Sequence, residues 1–390
     1  MAFHWLLLPF HPDISTPPIG ARHSIVFYNG QDDIAKPQFH CIVCSIMVLR
    51  NRGVPNYHRP LGGTIMKLKS FITASIFALW AAPAFSEELK FASFVPPQHT
   101  VTSSLIDKLA ADIAAGTGGS LTLRNYPGGK LGAGPVEQYV RVLQGVADMG
   151  WGLPGYTSSQ FEKTMIAELP GAIDVETPGY AALWAAYEAH LKGEFPGIKA
   201  LALWTSEPNI MIMRDKIIHT PADLAGLKIR VAGATAADVA SALGATPVQM
   251  PINQVYNALQ TGLIDGVFTG SSTLNDFKLD EVANSFTIGA PLGRLSFFAV
   301  MNGAKYNGLS NAEKAAIDAA SGIELSKSAE DAWNATGEAG VTRARGEAKN
   351  TFVDLSAGEV AAFEAAVSNV ANNYVASVGG EAAMAAMRGK

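Results

Sequence analysis

At 390 residues the chain is too long for one ordinary hydrophobic core and suits two lobes. Its 48% hydrophobic and 16% charged content excludes a disordered chain. The net charge of −5 is unevenly spread: residues 1–65 carry +2 and residues 66–86 another +2, which leaves −9 from Glu87 onward. That acidic balance argues against nucleic acid as a partner, so any bound anion must be caught by a local site.

Residues 1–65 are rich in His, Pro and Asn and show no sustained periodicity. They hold both cysteines, Cys41 and Cys44. Such a pair could mean redox or zinc chemistry, but no second pair and no βαβ context accompany it. The segment reads as an upstream extension from a misassigned start. Met66 opens "MKLKSFITASIFALWAAPAFS", with Lys67 and Lys69 before an apolar run from Phe71 to Ala82 and small residues at Ala84 and Ser86. This is the pattern of a secretory signal peptide over 66–86, and the run is too short to span a membrane. The chain beyond it has no cysteine, needs no disulfide, and is expected to be exported without stable membrane insertion.

"LKFASFVP" predicts a strand, and Thr102 to Ala115 a helix with Leu105, Ile106, Leu109 and Ile113 on one face. "LTLRNYP" is a second strand. "GPVEQYVRVLQGVADMGW" reads as helix then strand, with Val140, Leu143 and Val146 inward. A second block begins near Asn209: a strand in "NIMIMRD", a helix start at Thr220-Pro221-Ala222-Asp223, then strands in "LKIRVAG", "TPVQMP" and "LIDGVFTG" with helices between. "LSFFAVMN" is a dense apolar strand. From Ser310 a helical stretch runs towards Lys349, softened by Gly322, Gly337, Gly340 and Gly346, with capping boxes at Ser310/Glu313 and Ser356/Glu359. The alternation predicts α/β layering with largely parallel sheets. Two α/β blocks and a long helix crossing both predict two lobes joined by a hinge: 87–208 with 297–334, and 209–296 with 335–390.

Chemistry is sparse. No Gly-x-Ser-x-Gly or Ser-x-x-Lys is present, and only His99, His190 and His219 follow residue 86. His190 and His219 have no histidine or cysteine at i+4, and no carboxylate cluster suggests a metal site. "KLDE" and "KSAED" read as solvated charge patches. The glycines of "YPGGKLGAG" follow neither phosphate-loop nor dinucleotide spacing. An acid–base pair such as Glu207 with His99 would be the enzyme alternative. Arg230, followed by Ala232, Gly233 and Ala234, is either a solvated edge charge or an anion anchor whose small neighbours let a ligand approach.

"TPADLAGLKIRVAGATAADVASALGATPVQMPINQVYNALQTGLIDG" resembles the signature region of TRAP-transporter substrate-binding proteins, the DctP-type family. The likeness extends over residues 87–390. It implies a two-lobed periplasmic binding protein, without cofactor, that closes on a small organic acid and delivers it to small and large membrane subunits; a sensor feeding a membrane receptor is the related alternative. The family's carboxylate-binding arginine falls on Arg230, and its pocket residue after the Asp-Gly turn on Thr269. The resemblance also places Phe94, His99, Trp151, Tyr156, Ala234, Ile252 and Phe297 at ligand-facing positions; for Trp151 and the phenylalanines, core is the competing reading. A second arginine common in relatives has no counterpart near Pro208 and Asn209, and Thr269 stands where an amide is common. Both departures remove polar grip and disfavour sialic acid or a dicarboxylate, and Trp151, Phe268, Phe297 and Phe298 suggest an apolar or aromatic monocarboxylate.

Overall fold

The computed structural model describes residues 86–132, 134–174 and 176–390. The expected upstream extension and signal peptide lie, apart from Ser86, outside the described residues. Among those residues no helix is long and apolar enough to cross a membrane.

In chain order the strands are β1 (Glu87–Ala92), β2 (Leu121–Tyr126), β3 (Met149–Gly152), β4 (Ile198–Thr205), β5 (Asn209–Met213), β6 (Lys228–Val231), β7 (Thr246–Gln249), β8 (Gly266–Gly270), β9 (Ser285–Ile288), β10 (Ser296–Asn302) and β11 (Thr351–Asp354). They form two sheets, ordered β2-β1-β3-β10-β4 and β11-β9-β5-β8-β6-β7. The sheets are mixed rather than largely parallel: five pairings are parallel and four antiparallel. The antiparallel pairs arise where the chain changes sheet. β10 returns from the second sheet and inserts between β3 and β4. β4, β9 and β11 are strands beyond those read from the pattern. β4 is buried from Ala200 to Thr205 and β10 throughout, which leaves no alternation of polar and apolar residues to reveal a solvent face.

The two lobes are built on these sheets. Residues 206–208 and 289–295 cross between them, and so does one helix, Ile323–Arg345. That helix buries Leu325, Ala329 and Trp333 in the core of the first sheet, and Ala344 in that of the second. It runs unbroken through Gly337 and Gly340. The break comes earlier, at Gly322, whose φ of +88° separates it from the capped helix Asn311–Ala320. Gly337 and Gly340 instead serve contact: a Cβ at Gly337 would stand 2.6 Å from Ser271 Oγ, and one at Gly340 3.0 Å from the Ser271 carbonyl.

Three local expectations change. Helix Gln138–Leu143 turns Tyr139 and Val142 inward, and Val140, Leu143 and Val146 are 42–48% exposed. The ring of Tyr139 meets Phe161 and Phe298 edge-on and its hydroxyl donates to the Pro196 carbonyl, which sets the rotation of the helix. In "KLDE", Asp280 is buried and accepts from Arg343 Nη1; in "KSAED", Glu330 is buried. The last two helices, Val370–Ser377 and Glu381–Met387, place Val375, Ala383 and Met387 in a buried cluster of the first lobe with Ala182, Leu183 and Ala186, while Val370 also packs on the core of the second.

Candidate ligand-binding site

A cavity lies where the two lobes meet and holds about 440 Å³ of free space, counting what opens to solvent. Phe94, His99, Trp151, Tyr156, Arg230, Ile252, Thr269 and Phe297 all line it. Ala234 does not: it opens helix Ala234–Ala242, and its N–H donates to Ser158 Oγ at 3.2 Å. The first lobe supplies an aromatic wall. Phe94 stacks on Trp151 with centroids 4.5 Å apart, Phe297 lies 6.1 Å from Trp151, and Trp333 closes the group at 5.2 Å from Phe297. Trp151 donates its indole N–H to Ser93 Oγ, so its polar edge is satisfied away from the cavity.

The second lobe supplies the polar grip. Arg230 stands on β6 between Val248 and Val267 of the flanking strands and is 1% exposed, so it is no solvated edge charge. Its Nε donates to the Met250 carbonyl at 2.9 Å, while Nη1 and Nη2 have no hydrogen-bond partner. Burial pushes this guanidinium below its ordinary value, and the neighbouring Tyr156 hydroxyl acts in the opposite sense. An arginine stays protonated even so. Tyr156 reaches across from the first lobe, and its oxygen accepts the Ile252 N–H at 3.0 Å. Thr269, on β8, is fully buried with Oγ1 also unpartnered.

His99 and Asp276 form a second polar corner. His99 Nδ1 accepts the Val101 N–H at 3.1 Å, and burial pushes the imidazole down to about 3, so the ring is neutral and carries its proton on Nε2. Nε2 lies 3.5 Å from Asp276 Oδ2. Asp276 Oδ1 accepts both the N–H and the hydroxyl of Thr100, each at 3.2 Å. Burial pushes the Asp276 carboxyl up to about 6.

The pattern reading did not single out Trp333, Phe277 or Asp276. Glu207 and His99 do not pair: Glu207 Oε1 accepts the Ser272 N–H at 2.5 Å and its Oε2 has no partner. Among the described residues no group of three or more His, Cys, Asp or Glu side chains could hold a metal ion.

The model of the bacterial extracellular solute-binding protein family 7 matches residues 91–377. A TRAP solute-binding protein from Rhodoferax ferrireducens T118, in complex with copurified benzoate, has a TM-score of 0.74 at 28% identity, over 78% of this chain and 97% of that one. A TRAP periplasmic solute-binding protein from Bordetella bronchiseptica, with bound (R)- and (S)-mandelate, has a TM-score of 0.71 at 28% identity, over 78% of this chain and 98% of that one. The C4-dicarboxylate-binding periplasmic protein DctP of Rhodobacter capsulatus is 32% identical over 199 residues, which are 49% of this chain and 56% of that protein. The chain thus spans little more than half the length of the curated relatives it matches.

Proposed function

The chain belongs to the bacterial extracellular solute-binding protein family 7, and on that premise we propose that it captures a small apolar or aromatic monocarboxylate in the periplasm and delivers it to TRAP membrane subunits. The observation that carries this reading is the Arg230 guanidinium, buried to 1% exposure with both Nη groups unpartnered in the wall of a largely aromatic cavity. An uncompensated buried charge costs several kcal/mol. A carboxylate accepting from Nη1 and Nη2 relieves that cost through hydrogen bonds worth roughly 1.5–3 kcal/mol each. The bond from Nε to Met250 fixes the fork before the ligand arrives.

A dicarboxylate fits less well. Arg230 is the only Lys or Arg among the lining residues, and Asp276 adds a negative group. The wall of Phe94, Trp151, Phe297 and Trp333 suits a ring, and the benzoate and mandelate held by the two solved neighbours are aromatic monocarboxylates. In this reading lobe I comprises residues 87–208 with 297–334 and the last two helices, and lobe II comprises 209–296 with the remainder. The lobes meet through Tyr156 with Ile252, Ser158 with Ala234, and Glu168 with Thr235. A ligand that touches both lobes binds the closed form better and shifts the population towards it.

Thermal unfolding of the purified protein against a panel of monocarboxylates tests the assignment. A ligand at a hundred times its Kd adds about 2.7 kcal/mol of stability, a rise of about 5 °C for a protein of this size. Arg230→Met is expected to unfold normally and to gain nothing from the same ligand. An equal gain in the variant would move the anchor elsewhere.

A further inference from the structure

Two partly unsatisfied groups from different lobes face each other in the cavity. Asp276 follows β8 in the second lobe; its side chain is 8% exposed, and its Oδ2 has no hydrogen-bond partner. Thr100 occupies Oδ1 twice, through its N–H and its hydroxyl, which fixes the carboxyl and leaves Oδ2 free to accept. His99 follows β1 in the first lobe. Because Nδ1 accepts from Val101, Nε2 carries the proton, and it lies 3.5 Å from Oδ2, too far for a good hydrogen bond. The corner therefore presents one strong acceptor and one donor side by side, in the same cavity as Arg230.

We propose that the ligand carries, besides its carboxylate, a hydroxyl that donates to Asp276 Oδ2 and accepts from His99 Nε2. This rests on the reading of Arg230 as the carboxylate anchor and narrows it to hydroxylated aromatic acids. A hydroxyl is the group that fits, since it gives and takes one hydrogen bond. An ammonium only donates and would face the His99 N–H. An ether or carbonyl only accepts and would leave Oδ2 unpaired beside a lone pair. The nearby Thr273 hydroxyl cannot substitute, because it already donates to the Gly270 carbonyl. A site built to hydrogen-bond a substrate hydroxyl discriminates strongly against the analogue that lacks it, since its buried polar groups are then left unpaired.

Calorimetric titration of the intact protein with benzoate, the three hydroxybenzoates, the hydroxyphenylacetates and the matching fluoro analogues tests this. At least one hydroxy acid is expected to bind at least tenfold more tightly than its parent, a difference of about 1.4 kcal/mol, and its fluoro counterpart no more tightly than the parent. In Asp276→Asn the amide oxygen stays with Thr100 and an NH₂ replaces Oδ2. That variant is expected to lose the hydroxyl preference, read as the ratio of hydroxy-acid to parent-acid affinity within the same protein, while removal of the Asp276 charge strengthens binding of both acids alike. The proposal is overturned if no hydroxy acid outbinds its parent, if the fluoro analogues bind as tightly, or if Asp276→Asn keeps the preference. Failure of the underlying reading looks different: Arg230→Met then leaves parent and hydroxy acids bound as before, or no acid binds the unaltered protein, and both ideas fall together.

Discussion

Glu330 and Arg230 are both buried ionisable groups, and their surroundings separate structural from functional burial. Glu330, on the helix crossing the lobes, accepts the N–H groups of Gly179, Tyr180 and Thr205 and the Thr205 hydroxyl, at 2.8 to 3.2 Å. Its carboxyl ties the start of helix Gly179–Ala186 and the end of β4 to one point. Burial pushes its pKa up, and these donors act in the opposite sense. Arg230 makes one well-formed hydrogen bond, to the Met250 carbonyl, and has only the Tyr156 hydroxyl beside the rest of a fork that could donate five. Glu330→Ala strands three backbone donors, each costing about 1–3 kcal/mol, so chemical denaturation should show a loss of at least about 3 kcal/mol. Arg230→Met loses one bond and also one buried charge, so the ligand-free protein should stay within about 1 kcal/mol of the parent. If the two variants destabilise equally, the contrast between a satisfied and a waiting charge fails.

At the scale of elements, the join between β6 and helix Ala234–Ala242 sets how near the lobes approach. Gly233 lies against Gly155 of the segment Pro154–Gln160, and a Cβ on Gly233 would stand 2.6 Å from Gly155 Cα and 2.8 Å from its carbonyl oxygen. Gly233 has extended backbone, φ −153° and ψ −174°, which any residue adopts. Space, not backbone freedom, demands glycine there. Gly233→Val should leave the ligand-free melting temperature nearly unchanged, weaken ligand binding at least tenfold, and abolish the ligand-induced decrease in radius of gyration measured by solution scattering. Normal compaction in the variant would show that the lobes do not seat on this contact. The same join shows what pattern can disclose. Period-two alternation announced the strand, and one cation among small residues stood out. The identity of Arg230's neighbours did not, because β6, β7 and β8 come together only in the sheet. Asp276 was hidden for the same reason: its partners Thr100 and His99 lie some 176 residues away and in the other lobe. Trp333 was lost in a helix whose glycines suggested softness, although two of them are close contacts. The exposed Val140, Leu143 and Val146 show the converse. Apolar spacing marked the helix, but the ring contacts of Tyr139 decided which side faces the core.

At the scale of the whole molecule, the segment 206–208 and the crossing helix meet at Glu207. A Cβ on Gly337 would stand 3.0 Å from its carboxyl, and Ser272 donates to Oε1. Oε2 is buried without a partner, and burial pushes the carboxyl up to about 7, with the charge of Asp276 acting in the same direction. In the unfolded chain a glutamate titrates near 4.3. Between about pH 4 and 7 the folded protein therefore holds a proton at Glu207 that the unfolded chain has released. Stability must fall as pH rises through that window, the reverse of a salt-bridged carboxylate. Asp276, at about 6, adds to the fall over the lower part of the window. Glu359 opposes it only in acid: Ser356 and His219 hold its carboxyl at about 2, and that stability disappears as pH drops below about 4. Denaturation measured from pH 5 to 8 should thus lose on the order of 4 kcal/mol, and Glu207→Gln should remove more than half of this slope while leaving the acid limb in place. An unchanged slope in Glu207→Gln would mean that the carboxyl at the crossing is ionised throughout, and that the crossing is held together by charge rather than by a retained proton.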